Sequence, residues 1–381
     1  MSLHRVKSEA LRLLTNLRGW KTERKLLVIE SDDWGAIRMP SRRAWQNLLD
    51  AGIRVDRSRY DSLDCLESRD DFQCLMNVLD SHRDRSGRAA IFTMNAVMGN
   101  PDFEAIERDH FEVFHHEHFF DSCIRYHGQN PKEDWEQAAQ NDLIRPQFHA
   151  REHLNSVLWL SDLRSGNKET RLAFEHGFYG LSTKTSSPRQ KHYKAAYSAE
   201  SPEELETIAE ITSNGLTLFR ETFGFPSETF VACNYVLPAE LEQTLSSEGI
   251  SWIQTQRGYL QPMPHRGGER RIRYPRTGER NEFGQFYGVR NVLFEPYLDE
   301  KIDWPKVALR AVSQAFRVGT PAIVCSHRIN YTSGMNQEHR DNSLRQLDGF
   351  LGLVTHRWPD VEFITSDELA SSVAADLHGP Q

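Results

Sequence analysis

Leu26-Leu27-Val28-Ile29-Glu30-Ser31-Asp32-Asp33-Trp34-Gly35 begins as an unbroken apolar run and ends in acids and a glycine. Four or five apolar residues without alternation suit a strand buried on both faces, the habit of parallel sheets. The same signature recurs three times. Ala89-Ala90-Ile91-Phe92 runs into Thr93 and Asn95, Phe230-Val231-Ala232-Cys233 into Asn234, and Ala322-Ile323-Val324-Cys325 into Ser326-His327-Arg328. Helical patterns lie between these runs, over residues 72–79, 201–223, 238–247 and 304–316. Ser201-Pro202-Glu203-Glu204 has the spacing of a capping box. Pro238 suits a first helical turn, where its missing N–H does no harm. Strands alternating with helices predict βα units around a parallel sheet. A single polar residue at the end of such a run marks no more than a strand reaching solvent. Four such ends carrying Asp-Asp, Asn, Asn and His predict a shared site, because parallel α/β folds place their active sites at the carboxyl ends of the strands. The alternation leaves both a barrel and an open sheet available.

The 381 residues allow two or three domains at about 150 residues each, or one α/β barrel with insertions. With 38% hydrophobic and 26% charged residues the chain can bury a core, which argues against wholesale disorder. A net charge of −8 advertises no nucleic-acid or other polyanion binding. No apolar run approaches the ~18 residues of a membrane span. Met1–Leu14 is basic and amphipathic but has no apolar core of the secretory kind, so a cytoplasmic protein is expected. Five scattered cysteines without CxxC spacing speak against a disulfide scaffold and a zinc knuckle. Oligomeric state is left open.

His149-Ala150-Arg151-Glu152-His153 places two imidazoles at i and i+4, which on a helix share a face and can grip one cation. With 16 histidines, chance alone supplies about 0.7 such pairs, so a third ligand is needed. Asp32-Asp33 is the strongest candidate, since at a strand-to-loop bend both carboxylates can reach one pocket. One could then bind a metal while the other moves protons. His149–Glu152–His153 also reads as an inverted zinc-protease motif with Glu152 as base and Glu228 as a possible third ligand. That reading leaves Asp32-Asp33 and His327 without work. A second cluster, His110, His115, His116 and His118, fits no ligand spacing and is expected on a solvated or partner-facing helix.

These residues resemble the polysaccharide deacetylases, carbohydrate esterase family 4. Ser31-Asp32-Asp33-Trp34-Gly35 is similar to the family's Asp-Asp motif. His149-x-x-x-His153 matches the spacing of its H-[ST]-x-x-H motif, and Cys325-Ser326-His327 is similar to its last, histidine-bearing motif. The three occur in the family's order, and the resemblance covers roughly residues 24–370. It implies one catalytic domain over residues 1–381, a distorted (β/α)7-type barrel with insertions near 104–145 and 255–290. It also implies a divalent cation, zinc above others, held by Asp33, His149 and His153. Asp32 would be the base and His327 the acid that protonates the leaving amine. A backbone N–H near Asn234-Tyr235 would stabilise the oxyanion, and Trp34, Asn95 and Arg328 would face the substrate. The family's Arg-x-x-Pro-Tyr motif reads Phe230-Val-Ala-Cys-Asn-Tyr235 here, leaving Arg328 and Arg290 as candidates for its arginine. Glu295, Asp299 and Asp303 are the candidates for its acidic partner. The activity implied is removal of acetyl from an N-acetylated amino sugar or saccharide. Two other readings are a cytoplasmic hydrolase of a cyclic amide and a carbohydrate-binding relative without chemistry.

Overall fold

In the computed structural model, which describes residues 13, 15–185 and 192–378, the apolar run Leu26–Ile29 is the hub of a nine-stranded parallel sheet. In chain order the strands are β1 (Lys25–Trp34), β2 (Phe92–Val97), β3 (Ile144–Ala150), β4 (Thr229–Val231), β5 (Trp252–Thr255), β6 (Phe286–Val289), β7 (Val292–Leu293), β8 (Ala322–His327) and β9 (Val361–Ile364). Their spatial order is β6-β5-β4-β3-β2-β1-β8-β7, with β9 also on β1. β1 pairs with β8 along one edge, while β9 and β2 share the other, β9 at Lys25–Val28 and β2 from Ile29 onward. The expected strand at 89–92 lies three residues further on, and the one at 230–233 one residue earlier.

The two end strands of this order, β6 and β7, are separated in sequence only by Arg290 and Asn291. Arg290 N–H donates to the Thr255 carbonyl on one side (2.8 Å), and Asn291 N–H donates to the Ile323 carbonyl on the other (3.0 Å). A single dipeptide therefore bridges the two edges. The sheet curls into a barrel that closes where the chain passes from the β6–β5 pairing to the short β7–β8 pairing, and the fold is the distorted α/β barrel expected.

Side chains along β1 alternate between two environments, as the pleat requires. Leu27 and Ile29 pack outward with Phe92 and Val324 against the crossover helices. Leu26 and Val28 pack inward with Trp252, Phe286 and Ile323. Both sets are almost wholly buried, which is why the run shows no polar alternation. By the same parity Glu30 and Asp32 point inward. The interior is thus apolar at the amino ends of the strands and charged at the carboxyl ends.

The crossover helices are α1 (Arg69–Asp80), α2 (Lys132–Gln140), α3 (Pro202–Phe223), α4 (Ala239–Ser247), α5 (Trp304–Arg317) and α6 (Gln337–Arg357), followed by α7 (Ser366–His378). Ser68 and Asp71 close a capping box on α1. On α3 the Ser201 side chain caps Glu204, but the Glu204 carboxylate accepts from Glu200 N–H. Pro238 stands at the N-cap of α4, one place before the expected first turn. Leu369 and Val373 of α7 join the inner apolar cluster and cover the floor of the barrel. The segment 98–143 contributes a short hairpin (Gly99–Pro101 with His116–His118) and three helices, and 256–285 a second hairpin (Tyr259–Met263 with Glu269–Arg273). Among the described residues no helix is long and apolar enough to cross a membrane.

Candidate active site

Asp32 and Asp33 reach one cavity because β1 is irregular there. Its register against β2 shifts between Ser31 and Trp34, and Asp33 adopts φ 77°, in the left-handed region that Asp tolerates better than most residues. Gly35 follows at φ 85°, and a Cβ there would lie 2.6 Å from the Val97 carbonyl oxygen. The Glu67 carboxylate accepts the Gly35 N–H (3.0 Å) and fixes the turn. Glu67 is in turn held by Arg328 (2.8 Å), which also bonds Asp64 (3.1 Å) and is fully buried. Arg328, expected to face the substrate, instead braces this turn from behind. It follows His327 directly, and strand alternation sends it to the other side.

His149 stands at the end of β3 and His153 in the bends after it, so the i,i+4 pair is not helical as expected. The two rings still meet, with centroids 5.0 Å apart. His149 Nε2 lies 3.4 Å and His153 Nε2 3.2 Å from the same atom, Asp33 Oδ1. Ligand atoms about 2.0–2.1 Å from a tetrahedral ion are separated by about 3.3–3.4 Å, so Asp33 Oδ1 stands from each imidazole nitrogen at about the spacing of two tetrahedral corners. The His149 Nδ1–H donates to the Val231 carbonyl (2.8 Å), which leaves Nε2 as the lone-pair nitrogen. His153 Nδ1 has no hydrogen-bond partner among the described residues. Burial and the Arg38 charge hold His153 well below the usual imidazole range, in the neutral form a metal requires. His149 is lowered by burial but raised more by Cys233 and Asp33, to well above that range. A carboxylate faced by two imidazole nitrogens in one buried spot draws positive charge, which a proton on His149 supplies in the free chain, and with that proton displaced the donor set fits a divalent cation. The Cys233 thiol adjoins it, 3.9 Å from His149 Nε2. Arg38 Nη2 bonds Asp33 Oδ1 at 2.9 Å.

Asp32 sits deeper. Arg290 grips it with both prongs of its guanidinium (2.6 and 2.7 Å) while its Nε bonds Glu30 (2.6 Å). Asn95 donates to Asp32 Oδ1 at 2.7 Å. Burial alone would raise the carboxyl, but Arg290 more than offsets it and holds Asp32 at about 2. Of the two arginines left open by the sequence, Arg290 is the one on Asp32. Asn95 touches Asp32 and Gln254 and does not line the cavity, so its partner is the carboxylate rather than a substrate.

His327 Nε2 faces Asp32 Oδ2 at 3.6 Å, and its Nδ1–H donates to Glu295. Asn330 secures the other Glu295 oxygen (2.8 Å). Burial lowers the imidazole, yet Glu295 and Asp32 raise it to about 9. Glu295 is thus the acidic partner, whereas Asp303 caps α5 and Asp299 accepts the Lys301 N–H.

Asp32, Asp33, His149, His153 and His327 line one cavity of about 360 Å³ together with Asn234 and Tyr235. Asn234 and Tyr235 both have positive φ (56° and 53°). The Tyr235 N–H donates to the Ala232 carbonyl (2.9 Å) and is no free oxyanion donor, and the Tyr235 hydroxyl accepts from Arg290 (2.8 Å). Trp34 does not reach the cavity. It is fully buried, donates to Ser31 Oγ and stacks on Tyr331. The walls also include Arg38, Tyr60, Lys194 and Tyr297, none of which belongs to a recognisable spacing. The Tyr60 ring lies 5.0 Å from that of Tyr297 and 5.9 Å from that of His327.

The inverted-protease arrangement is not formed by the described residues. Glu152 is buried against Arg151 (2.9 Å), and Glu228 is a half-exposed partner of Arg145. Nor do His110–His118 form a helix. His110 lies in a turn, His116–His118 form a hairpin strand, and the His118 ring caps the helix Phe119–His127.

No family matches in a scan of protein-family models, and no curated protein matches the sequence. Among solved structures the chain is similar to a putative polysaccharide deacetylase from Mycobacterium smegmatis (11% identity over 95% of this chain and 94% of that one, TM-score 0.43). It is similar to a probable polysaccharide deacetylase from Pseudomonas aeruginosa PAO1 (10% identity over 94% and 93%, TM-score 0.44). A GH57-type branching enzyme from Pyrococcus horikoshii matches at 10% identity over 92% and 70%, TM-score 0.42. The likeness is one of chain path.

Proposed function

We propose that the chain is a metal-dependent hydrolase that removes the acyl group from an N-acylated amino sugar within a saccharide. The observation that carries this reading is the convergence of two imidazole nitrogens on Asp33 Oδ1, at 3.4 and 3.2 Å, beside Asp32 and His327. Asp33, His149 and His153 would hold a zinc ion, which when bound polarises the acyl carbonyl and acidifies water. Asp32, kept ionised by Arg290, accepts a proton from the attacking water. His327, kept protonated by Glu295, gives a proton to the departing amine, a leaving group too basic to depart as an anion. Asn95 and Arg290 hold the base in place, and Glu295 with Asn330 holds the acid. Products are a carboxylic acid, acetic acid for an acetyl group, and a free amine.

An elongated cleft supports a saccharide rather than a compact amide. The central cavity shares Thr183, His192 and Asn234 with a second of about 400 Å³. On its other side it shares Tyr235, Tyr297 and His327 with a third of about 310 Å³. The test is elemental analysis of the purified chain together with acetate release from acetylated amino sugars and their oligomers, before and after chelation and zinc return. Full activity in metal-free protein would overturn the reading, as would hydrolysis of cyclic amides alone.

A further inference from the structure

We propose that the substrate carries an anionic group, a carboxylate or a phosphate, and that Arg38 and Lys194 receive it beside the reacting centre. This rests on the hydrolase reading for the position of the acyl group, not for the anion itself. The charged side chains that line the central cavity divide into two sets. Asp32, Asp33, His149, His153 and His327 are occupied by the chemistry. The remainder are Arg38, Lys184 and Lys194, with no carboxylate among the other described wall residues.

Two of these cations are buried and incompletely satisfied. The Arg38 side chain is 5% exposed and bonds Asp33 through Nη2, but its Nε and Nη1 find no hydrogen-bond acceptor among the described residues. Asp64 Oδ2 is nearest to Nε, at 3.5 Å. Nε is thus ion-paired though not hydrogen-bonded, and a buried guanidinium normally fills its donors, so leaving Nη1 without a partner is costly unless a ligand supplies an oxygen. Lys194, 8% exposed, donates to Asp61 Oδ1 at 2.8 Å, which engages one of the three N–H groups of its ammonium. Arg38 and Lys194 lie 5.9 and 5.8 Å from the centroid of the same Tyr60 ring, which stands perpendicular to the His327 ring at 5.9 Å. Both cations and the general acid therefore gather round one aromatic side chain. An anion seated there would lie next to the leaving amine, in a low-dielectric pocket where charged hydrogen bonds are strong.

The experiment is calorimetric titration of the zinc-loaded full chain at low salt. The probes are N-acetylglucosamine, its 1- and 6-phosphates and its uronic acid, with inorganic phosphate as a separate arm. At least one anionic sugar is expected to bind about tenfold or more tightly than the neutral sugar. Lys194→Met should reduce that preference to under about threefold, whereas Asp61→Asn, which releases Lys194, should preserve or increase it. A preference for the uronic acid without one for the phosphates identifies a carboxylate, and the converse, with inorganic phosphate competing, a phosphate. Equal binding of neutral and anionic sugars by the wild type overturns the inference whatever the variants do, and so does a preference that survives both Lys194→Met and Arg38→Gln. Anion preference without acyl release from any probe or from acetylated oligomers would sink the hydrolase reading and leave this inference standing.

Discussion

Arg290 and Asp32, 258 positions apart, form a two-pronged ion pair inside the barrel, with contacts of 2.6 and 2.7 Å. Arg290 belongs to the dipeptide that closes the sheet, so the residue that completes the barrel also sets the charge state of the proposed base. Arg290→Gln should therefore raise the Asp32 carboxyl from about 2 towards its ordinary range. Because the ionised form is the base, the acid limb of the rate profile should move to higher pH. Loss of one partner of a buried pair should also cost about 3–5 kcal/mol of stability. Metal content should not change. A pH–rate profile beside elemental analysis checks this, and an unmoved acid limb would remove Asp32 from the base role.

Asp32→Asn and Asp33→Asn should separate cleanly. Asp33 Oδ1 faces both imidazole nitrogens, so Asp33→Asn should lose metal by at least about tenfold in affinity. Asp32→Asn should keep its metal and lose amide hydrolysis. Metal content and acetate release measured on both proteins decide it. Reversed results would exchange the roles.

His327→Ala should lower amide turnover by roughly 10²- to 10⁴-fold and spare activated esters, whose leaving groups need no proton. The imidazole is held at about 9, so its acid form and the activity it supports are lost as pH rises through about 9. Glu295→Gln removes the largest raising influence and should bring that alkaline limb down. Equal losses on amides and activated esters would make His327 structural.

Gly35→Ala is expected to destabilise by about 2–4 kcal/mol, since the position needs positive φ and its Cβ would meet the Val97 carbonyl at 2.6 Å. Thermal melts of the two proteins measure it. A variant as stable as the parent would show that the turn can relax.

The parallel architecture is legible in the sequence because β1 and β8 are buried on both faces and so spell out unbroken apolar runs. The motifs in chain order likewise point to Asp32, Asp33, His149, His153 and His327, which the fold brings to one cavity. The spacing of His149 and His153 does not mean a helix here, because a strand end followed by a bend brings i and i+4 together as well as a helical turn does. Trp34, Asn95 and Arg328 miss the substrate cavity for a different reason. Trp34 and Arg328 are turned away by the bulge at Asp33 and by strand alternation, whereas Asn95 faces the interior one layer deeper and is taken up by Asp32 and Gln254. Arg290 stands in the sequence as one option of two, and Tyr60 and Lys194 carry no local signal at all, because only tertiary closure brings them to the site.

The seam at Arg290–Asn291 has a further consequence. The pairing of β7 with β8 covers only Val292 and Leu293, so this short ladder and the Asn291 side chain close the barrel there. Local opening is cheapest where few bonds must break, so this joint is a candidate weak point in the sheet. Opening it withdraws the guanidinium from Asp32 while the rest of the sheet stays paired. Catalytic competence should then fade at milder denaturant than the loss of secondary structure, making turnover itself an early reporter of barrel integrity.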